Sequence, residues 1–467
     1  MTRPPRTLPL VFLALSSVAA LAQSVPFKHV VVIFQENRTP DNLFGSNPNF
    51  EPGVDIAAFG INSKGTKIPL TAAPLATCYD LSHTHKAFVS EYDKGKMDGA
   101  DLVGVGQLPG CVVPENPQFK FVDNSDGTVQ PYFDIATQYG FANRMFQTNQ
   151  GPSFPAHQFI ISGTSAPDTN SPLFASENMA LKADAGCLGP PNQTVRVIDR
   201  RGSETSNPPI YPCFEHPTLT DVLNSAGITW KYYTPTAGSI WTAPDAIKHM
   251  CVPENQNGKL VCTGADWVNH VVIPQTTVLT DIQNCKLANV SWVIPNAPQS
   301  DHARSTDGSG PSWVASIVNA IGSNHACYKT GEVYWKDTAI FITWDDWGGW
   351  YDHVRPYRIR QHNQWGAGYV YGFRVPLMVV SAYTRAGYVN NSNHDFGSIL
   401  KFIEKNFGAR GTPLGPIGPG TYADVYANDL ARFFPLTSPR RFHPIAAKFD
   451  ANHFLHSRET LAGPDND

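Results

Sequence analysis

Two short polar motifs in this chain each follow a run of apolar residues that is typical of a buried strand. Glu36-Asn37 ends the run VVVIFQ, and Asp345-Asp346 ends the run TAIFITW. In an open α/β sheet, strand ends of this kind are where ligands and metals bind. Adjacent carboxylates repel each other unless a cation lies close to both. The two motifs therefore predict a cation site for Mg²⁺, Ca²⁺ or Mn²⁺, or for Zn²⁺ if a histidine joins.

Either motif taken alone also fits an ordinary polar turn at the end of a strand. The second motif argues against that interpretation, because Trp344 and Trp347 flank the two aspartates. Gly348-Gly349 follows directly and allows the backbone to turn sharply beside the carboxylates.

A candidate nucleophile lies in the segment GPSFPAH, directly before the apolar run QFIISG. Pro155 suits the first turn of a helix, which puts Ser153 at an N-cap-like position. Free backbone NH groups there favour an anion such as a phosphoryl group. A plain capping serine is the alternative. The segment has no GxSxG pattern, so a lipase-type triad has no support.

Histidines near these motifs are candidates for proton transfer to a leaving group or contact with a phosphoryl oxygen. Asp301-His302 and His83 are the candidate catalytic groups, and His85 and His353 are weaker candidates for substrate binding. Each of these side chains could instead be a hydrogen-bonded structural residue.

The elements that must position these residues alternate between strand and helix patterns. The predicted buried strands are His29–Phe34, Ile228–Tyr233, Val290–Ile294, Thr338–Thr343 and Pro376–Ser381. The predicted helices are Asp134–Tyr139, Pro155–Ser162, Leu219–Ala226, Pro311–Ile321 and Phe396–Phe407. This alternation predicts an α/β fold with a mostly parallel sheet sandwiched by helices. Residues 166–275, rich in Pro, Asn and Cys, interrupt it and predict a loop-rich insertion over the active edge of a single catalytic domain, residues 23–467.

Residues 1–22 have the features of a cleaved secretory signal peptide. Arg3 and Arg6 precede the apolar stretch Leu8–Leu21, and Ala20 and Ala22 precede the expected cleavage point. The apolar stretch is shorter than the roughly 20 residues that span a bilayer. We therefore expect a secreted or periplasmic protein without a stable membrane anchor.

Cysteine usage and charge agree with that compartment. The 8 cysteines fit an oxidising environment and disulfides. Among roughly a hundred connectivities, pairing between sequence neighbours gives Cys78–Cys111, Cys187–Cys213, Cys251–Cys262 and Cys285–Cys327. With 39 acidic and 35 basic residues and no block of lysine and arginine, the sequence argues against a nucleic-acid partner.

Six segments together resemble the phosphoesterase family of bacterial acid phosphatases and non-haemolytic-type phospholipases C. In chain order they are ENRTPDNLFG, GPSFPAHQFIISGT, SDHARSTDGSGP, WDDWGGWYDHV, YGFRVPLMVVSAY and HDFGSILKFIEKNF. The resemblance implies an alkaline-phosphatase-like α/β core, one divalent metal ion and a serine or threonine nucleophile that also binds the metal. Carried over to this sequence, it implies the metal ligands Glu36, Asn37, Ser153, Asp345 and Asp346, with Ser153 as the nucleophile.

Departures from the family pattern weaken a phospholipase assignment. Several phospholipase relatives continue the nucleophile motif as His-Pro-Asn-Arg, where this chain has the segment Phe154–His157, FPAH. Some relatives carry a second histidine shortly after the Asp-His pair. This chain has Ser305 and Thr306 in that neighbourhood instead. The short stretch after the last matched segment also favours a compact phosphatase.

We therefore expect an acid-phosphatase-like hydrolase whose substrate is a phosphate ester. The first alternative is a phospholipase C, in which aromatic residues cage a choline headgroup by cation–π contacts. The candidates for such a cage include Trp230, Tyr232, Tyr233 and Trp241, although the favoured interpretation is that most of them pack in the core. The second alternative is a catalytically inactive binding protein of the same fold. A sulfatase is disfavoured, because we find no Cys-x-Pro-x-Arg motif.

Overall fold

A computed structural model describes residues 27–327, 333–359, 369–409, 412–420 and 422–457, so the predicted signal peptide lies outside the described residues. The central sheet has eight strands: β1 (His29–Gln35), β2 (Gly140–Ala142), β3 (Trp230–Tyr233), β4 (Val271–Val272), β5 (Val290–Val293), β6 (Thr338–Trp344), β7 (Leu377–Val380) and β8 (Tyr388–Asn390). Their order across the sheet is β4-β3-β5-β1-β6-β7-β2-β8. Strand β7 pairs antiparallel with both neighbours, and every other pair in this sheet is parallel.

The predicted α/β fold with a mostly parallel sheet is confirmed. All five predicted strands lie in this sheet, with ends that differ by no more than two residues. In β1 and β6, at the middle of the sheet, all seven residues are buried, as expected for a strand covered on both faces. The sequence missed β2, β4 and β8, because strands of two or three residues carry no readable periodicity.

Helices pack around the sheet and share its main hydrophobic core. The longer ones are His85–Tyr92, Gln130–Gln138, Ser153–Ser162, Leu219–Ala226, Gly310–Gly322 and Phe396–Phe407. The shorter ones are Pro40–Phe44, Lys248–Cys251, Ala265–His270, Thr277–Gln283, Tyr334–Asp337, Ala423–Tyr426 and Ala451–His456. None of the helices in the described ranges has the length and apolar character needed to cross a bilayer.

The range 166–275 combines core elements with peripheral ones. Its helix Leu219–Ala226 and strand β3 belong to the main core. Outside the central sheet lie a three-stranded sheet, formed by Phe174–Ala175, Val195–Ile198 and Glu204–Ile210, and the hairpin Pro253–Gln256 with Lys259–Cys262. Three further two-stranded sheets pair Phe59–Ile61 with Lys67–Pro69, Thr71–Ala73 with Lys120–Val122, and Tyr79–Leu81 with Val105–Gln107.

Four disulfides join the cysteines in the pairing predicted between sequence neighbours. They are Cys78–Cys111, Cys187–Cys213, Cys251–Cys262 and Cys285–Cys327. Each closes a short segment of chain, and two of them lie within the range 166–275. Disulfides of this kind stabilise a fold mainly by restricting the unfolded chain.

Candidate active site

The register between β1 and β6 brings the two polar motifs together. Gln35 pairs with Trp344 in this parallel ladder, so the residues that follow each strand emerge side by side. The backbone NH of Asp345 donates to the Gln35 carbonyl at 3.0 Å, and the NH of Asn37 donates to Asp345 Oδ1 at 3.1 Å. Two motifs 308 residues apart in sequence therefore form one polar end of the sheet.

A close approach of two loops holds this end of the sheet in place. Asn37 has a left-handed backbone (φ 62°), as does Gly348 (φ 63°). A Cβ at position 348 would lie 2.5 Å from the Asn37 carbonyl oxygen, closer than real contacts allow. Glycine is therefore required there. Its NH donates to Asp346 Oδ1 at 2.7 Å, which orients that carboxylate.

Ser153 joins the acidic residues from a third segment of the chain. It is the first residue of its helix, with Pro152 in the cap position, so the predicted N-cap placement was one residue off. Its hydroxyl makes no capping bond; Oγ lies 3.3 Å from Asp346 Oδ2 and 3.4 Å from Glu36 Oε2. All three side chains are buried.

Gln147, which the sequence did not single out, ties the serine loop to the Asp-Asp loop. Its Nε2 donates to the Gly151 carbonyl at 3.0 Å, and its Oε1 accepts from the Trp347 backbone NH at 3.0 Å. The side chain is fully buried, so these bonds are not exchanged with solvent. One glutamine thus sets the spacing between the serine and the carboxylates.

His157 is the second residue that sequence reasoning missed. It lies four residues after Ser153 on the same helix, a spacing that puts both side chains on one face. Its Nε2 lies 3.2 Å from Glu36 Oε1 and 3.9 Å from Asp345 Oδ2. Burial lowers the pKa of His157 to about 4, so the imidazole is neutral at neutral pH. The i, i+4 spacing was the signal that could have revealed it.

These buried groups fit a divalent cation. Burial raises the pKa of Glu36 and of Asp346 well above the usual range, and the nearby Asp345 carboxylate adds to both shifts. Asn37 Oδ1 and Asp345 Oδ2 are buried and have no hydrogen-bond partner. Buried polar atoms are normally satisfied, and buried like charges are costly without a counterion. Ligand atoms of Glu36, His157 and Asp345 lie within 4.8 Å of one another.

The stability that a metal adds should depend on pH. Because the folded-state pKa values of Glu36 and Asp346 are raised, the metal-free fold binds more protons than the unfolded chain. Their contribution to stability is present below their unfolded pKa of about 4 and is lost as the pH rises through the raised values. We therefore expect Mn²⁺ to raise Tm more at pH 8 than at pH 5 in thermal melts against chelated protein. Equal shifts at the two pH values would contradict a carboxylate cluster that needs a cation.

His83 contacts the cluster through Asn37. Its Nδ1 lies 2.8 Å from the Leu81 carbonyl, which accepts a hydrogen bond only from a protonated nitrogen. Its Nε2 lies 3.3 Å from Asn37 Nδ2 and accepts from that amide. This bond uses the amide nitrogen of Asn37, and Asn37 Oδ1 is left as a buried acceptor without a hydrogen-bond partner. His83 therefore contacts a proposed metal ligand, and its role in proton transfer stays a prediction.

His302 lies beside His83, with ring centroids 5.7 Å apart. Its Nδ1 is 2.8 Å from the Ala303 carbonyl, and the side chain is buried. Asp301 is directed elsewhere, since its Oδ2 accepts from Tyr132 at 2.8 Å and from Trp344 at 3.0 Å. Asp301 thus takes part in a buried hydrogen-bond network, and its catalytic role stays a prediction.

Two predicted substrate-binding histidines also make contacts outside the cluster. His353 lies between two carboxylates, with Nδ1 2.7 Å from Asp41 Oδ2 and Nε2 2.9 Å from Asp55 Oδ1. His85 is buried, and its Nε2 lies 3.3 Å from Gln150 Oε1. His353 is therefore held in an ion-pair network, whereas His85 supports the loop that leads to the serine.

The aromatic side chains considered for a choline cage are core residues. Trp230, Tyr232, Tyr233 and Trp241 are each at most 1% exposed. A cation could reach their faces only if the core opened. These four side chains therefore pack in the core, which is the favoured interpretation of the sequence.

This chain is similar to known proteins over most of its length. A model of the phosphoesterase family matches residues 27–410. The chain belongs to the phosphoesterase family. A non-haemolytic phospholipase C of Pseudomonas aeruginosa is 24% identical over 458 residues, which cover 88% of this chain and 58% of that relative. A non-haemolytic phospholipase C of Burkholderia pseudomallei is 31% identical over 261 residues, covering 48% of this chain and 36% of that relative.

The chain of this phosphoesterase-family protein spans about half the length of the curated relatives it matches. Among solved structures, a protein in the alkaline phosphatase superfamily from Vibrio parahaemolyticus aligns with 85% of this chain and 70% of its own. The sequence identity is 10% and the TM-score is 0.34.

Proposed function

We propose that this protein is a secreted, metal-dependent hydrolase of phosphate esters that acts on monoesters in the manner of an acid phosphatase. One observation carries the proposal: the Ser153 hydroxyl lies within 3.4 Å of Glu36 and Asp346 in a buried carboxylate cluster at the end of the sheet. A hydroxyl beside a cation-binding cluster is the arrangement that activates a serine for attack on phosphorus.

The ligands we propose are Glu36, Asn37, Ser153, Asp345 and Asp346. A divalent ion held there would lower the pKa of the serine hydroxyl and offset charge on the phosphoryl oxygens. Ser153 Oγ forms a bond to phosphorus while the bond from phosphorus to the leaving oxygen breaks. The hydroxyl proton has carboxylate acceptors on Glu36 and Asp346 within reach. Water then cleaves the phosphoserine and releases phosphate.

The leaving oxygen needs a proton, and His302 is the group we assign to supply it. Supporting this role, His302 lies against His83, whose partner Asn37 is in the cluster. A cavity of about 420 Å³ opens beside these residues and is lined by His83, Pro152 and Lys182, among others. The Lys182 ammonium at its wall suits a substrate that carries the double charge of a phosphate monoester.

A phospholipase C remains the second candidate, because the curated relatives named above carry that name. In this chain the aromatic residues that could have formed a choline cage are packed in the core. The local chemistry therefore favours the monoester, and the relatives favour the phosphodiester of a lipid.

A substrate panel separates the two candidates. We expect p-nitrophenyl phosphate to be hydrolysed and phosphatidylcholine vesicles to be turned over at least about a hundredfold more slowly, a difference of about 2.7 kcal/mol in transition-state binding. A chelator should abolish the faster reaction, and added Mn²⁺ should restore it. Faster release of phosphocholine than of p-nitrophenol would reverse the assignment. If chelation removed neither activity, a metal-dependent mechanism would be excluded.

A further inference from the structure

A second cavity, of about 600 Å³, is lined by none of the residues of the carboxylate cluster. The helix His85–Tyr92 forms one wall, and the turn at residues 200–202 forms another. The cationic side chains that line it are Lys94, Arg200, Arg201 and Arg358. Its carboxylate, Asp93, is already paired with Lys96. Four cations and one carboxylate therefore line the cavity, with Lys94, Arg201 and Arg358 exposed to solvent and Arg200 partly buried, in a protein whose net charge is −4.

Within the described ranges, the three arginines have no carboxylate partner, whereas Lys94 interacts electrostatically with Asp93. None of them forms an ion pair or a side-chain hydrogen bond with another described residue. The Nε atom of Arg200 is buried without any hydrogen-bond partner. Like charges gathered around one cavity repel each other, and a buried guanidinium nitrogen without an acceptor is costly. An anion in the cavity would remove both costs.

The cavity is connected to the serine through Gln150, which lines it. Gln150 Nε2 donates to the Val370 carbonyl at 2.7 Å, and Oε1 lies 3.3 Å from His85 Nε2, so the side chain is held at both ends. Three peptide units separate Gln150 from Ser153. Their Cα atoms therefore lie at most about 11 Å apart, given about 3.8 Å for each unit.

We propose that this cavity binds a phosphate-type anion other than the ester group that is hydrolysed. Planar guanidinium groups bind phosphate oxygens in pairs, and three of the four cations are arginines. The volume fits a small molecule. The anion is either a second phosphoryl group on the substrate or free phosphate. Both present the same phosphate oxygens to the guanidinium groups. Anion binding itself does not depend on the proposed function; only the comparison of substrates rests on it.

Calorimetric titration with inorganic phosphate tests the site directly. The D346N variant is the background, because it weakens the cluster at Ser153 and leaves the cavity unchanged. We expect D346N to bind one phosphate and the added pair R200Q/R201Q to weaken that binding about tenfold or more for each arginine. The pair K64Q/K259Q removes two exposed lysines elsewhere and should leave it unchanged. R358Q, on another wall, should weaken it as well.

The outcomes are separable. Equal phosphate binding in the arginine and lysine variants, or no binding by folded D346N, overturns the proposal. A bisphosphorylated sugar and its monophosphorylated counterpart then identify the source of the anion. A lower KM for the bisphosphate that disappears in R200Q/R201Q assigns the cavity to the substrate, and an unchanged KM ratio assigns it to free phosphate. Thermal melts of each variant show that the fold is retained.

Discussion

Replacing Ser153 by alanine is expected to lower kcat/KM by at least about 10³-fold, because the variant has no oxygen to attack phosphorus. The fold should persist, since the hydroxyl makes only two long hydrogen bonds, to Glu36 and Asp346, and does not cap its helix. Four of the five proposed oxygen donors remain, so metal analysis should still find a bound ion. If S153A loses activity but still binds the metal, the role of Ser153 as nucleophile is distinguished from its role as a metal ligand.

The same helix offers a matched control for this serine. Ser162 is also buried, and its Oγ has no hydrogen-bond partner, so S162A should leave turnover unchanged. S153T keeps a hydroxyl at the critical position and should retain part of the activity. Acid quenching during turnover should trap phosphate on the peptide that contains Ser153. Near-native rates in S153A would rule out covalent catalysis at this residue.

Replacing Asp346 by asparagine is expected to bring activity down to that of the chelated enzyme and to abolish the rise in Tm on adding Mn²⁺. A more discriminating test is whether D346N raises or lowers the thermal stability of the metal-free protein. Burial and the neighbouring Asp345 hold the pKa of Asp346 well above its usual range. Neutralising it should therefore stabilise the metal-free protein at pH 8, raising Tm by about 1 °C for each kcal/mol gained in a protein of this size.

Asp352 provides the opposite case on the same loop. Its carboxylate is buried too, but it pairs with Arg374, with contacts of 2.8 Å to Nε and 2.9 Å to Nη2. D352N removes one of the two carboxylates that pair with the buried Arg374 guanidinium and leaves only Asp41, so it should destabilise the protein by about 3 kcal/mol, with or without metal. If D346N destabilised the metal-free protein as D352N does, Asp346 would be a structural group and not a metal ligand.

Local chemistry made much of the framework predictable. Long apolar segments with polar ends predicted the strands β1, β3, β5, β6 and β7, because burial on both faces leaves a clear signature. Cysteine spacing predicted the four disulfides. The ends of β1 and β6 predicted an acidic pair beside Glu36-Asn37, since parallel neighbours present their carboxyl ends at one edge.

The direction of individual side chains was decided by the tertiary structure. Asp301 follows a core strand, and its carboxylate accepts hydrogen bonds from Tyr132 and Trp344. His353 pairs with Asp41, a residue 312 positions away in sequence. Neither partner can be read from the local sequence, because hydrogen-bond partners in loops depend on which distant segments meet there.

The sequence by itself determined which residues carry oxygen donors and that two strands end on them. Only the tertiary structure decided that Gln147 joins the serine loop to the aspartates and that His157 reaches Glu36. The physical reason is that strand burial is a property of a local pattern, whereas side-chain contacts between loops arise from the register of strands hundreds of residues apart. In this protein the pairing of Gln35 with Trp344 converts two separate motifs into one site.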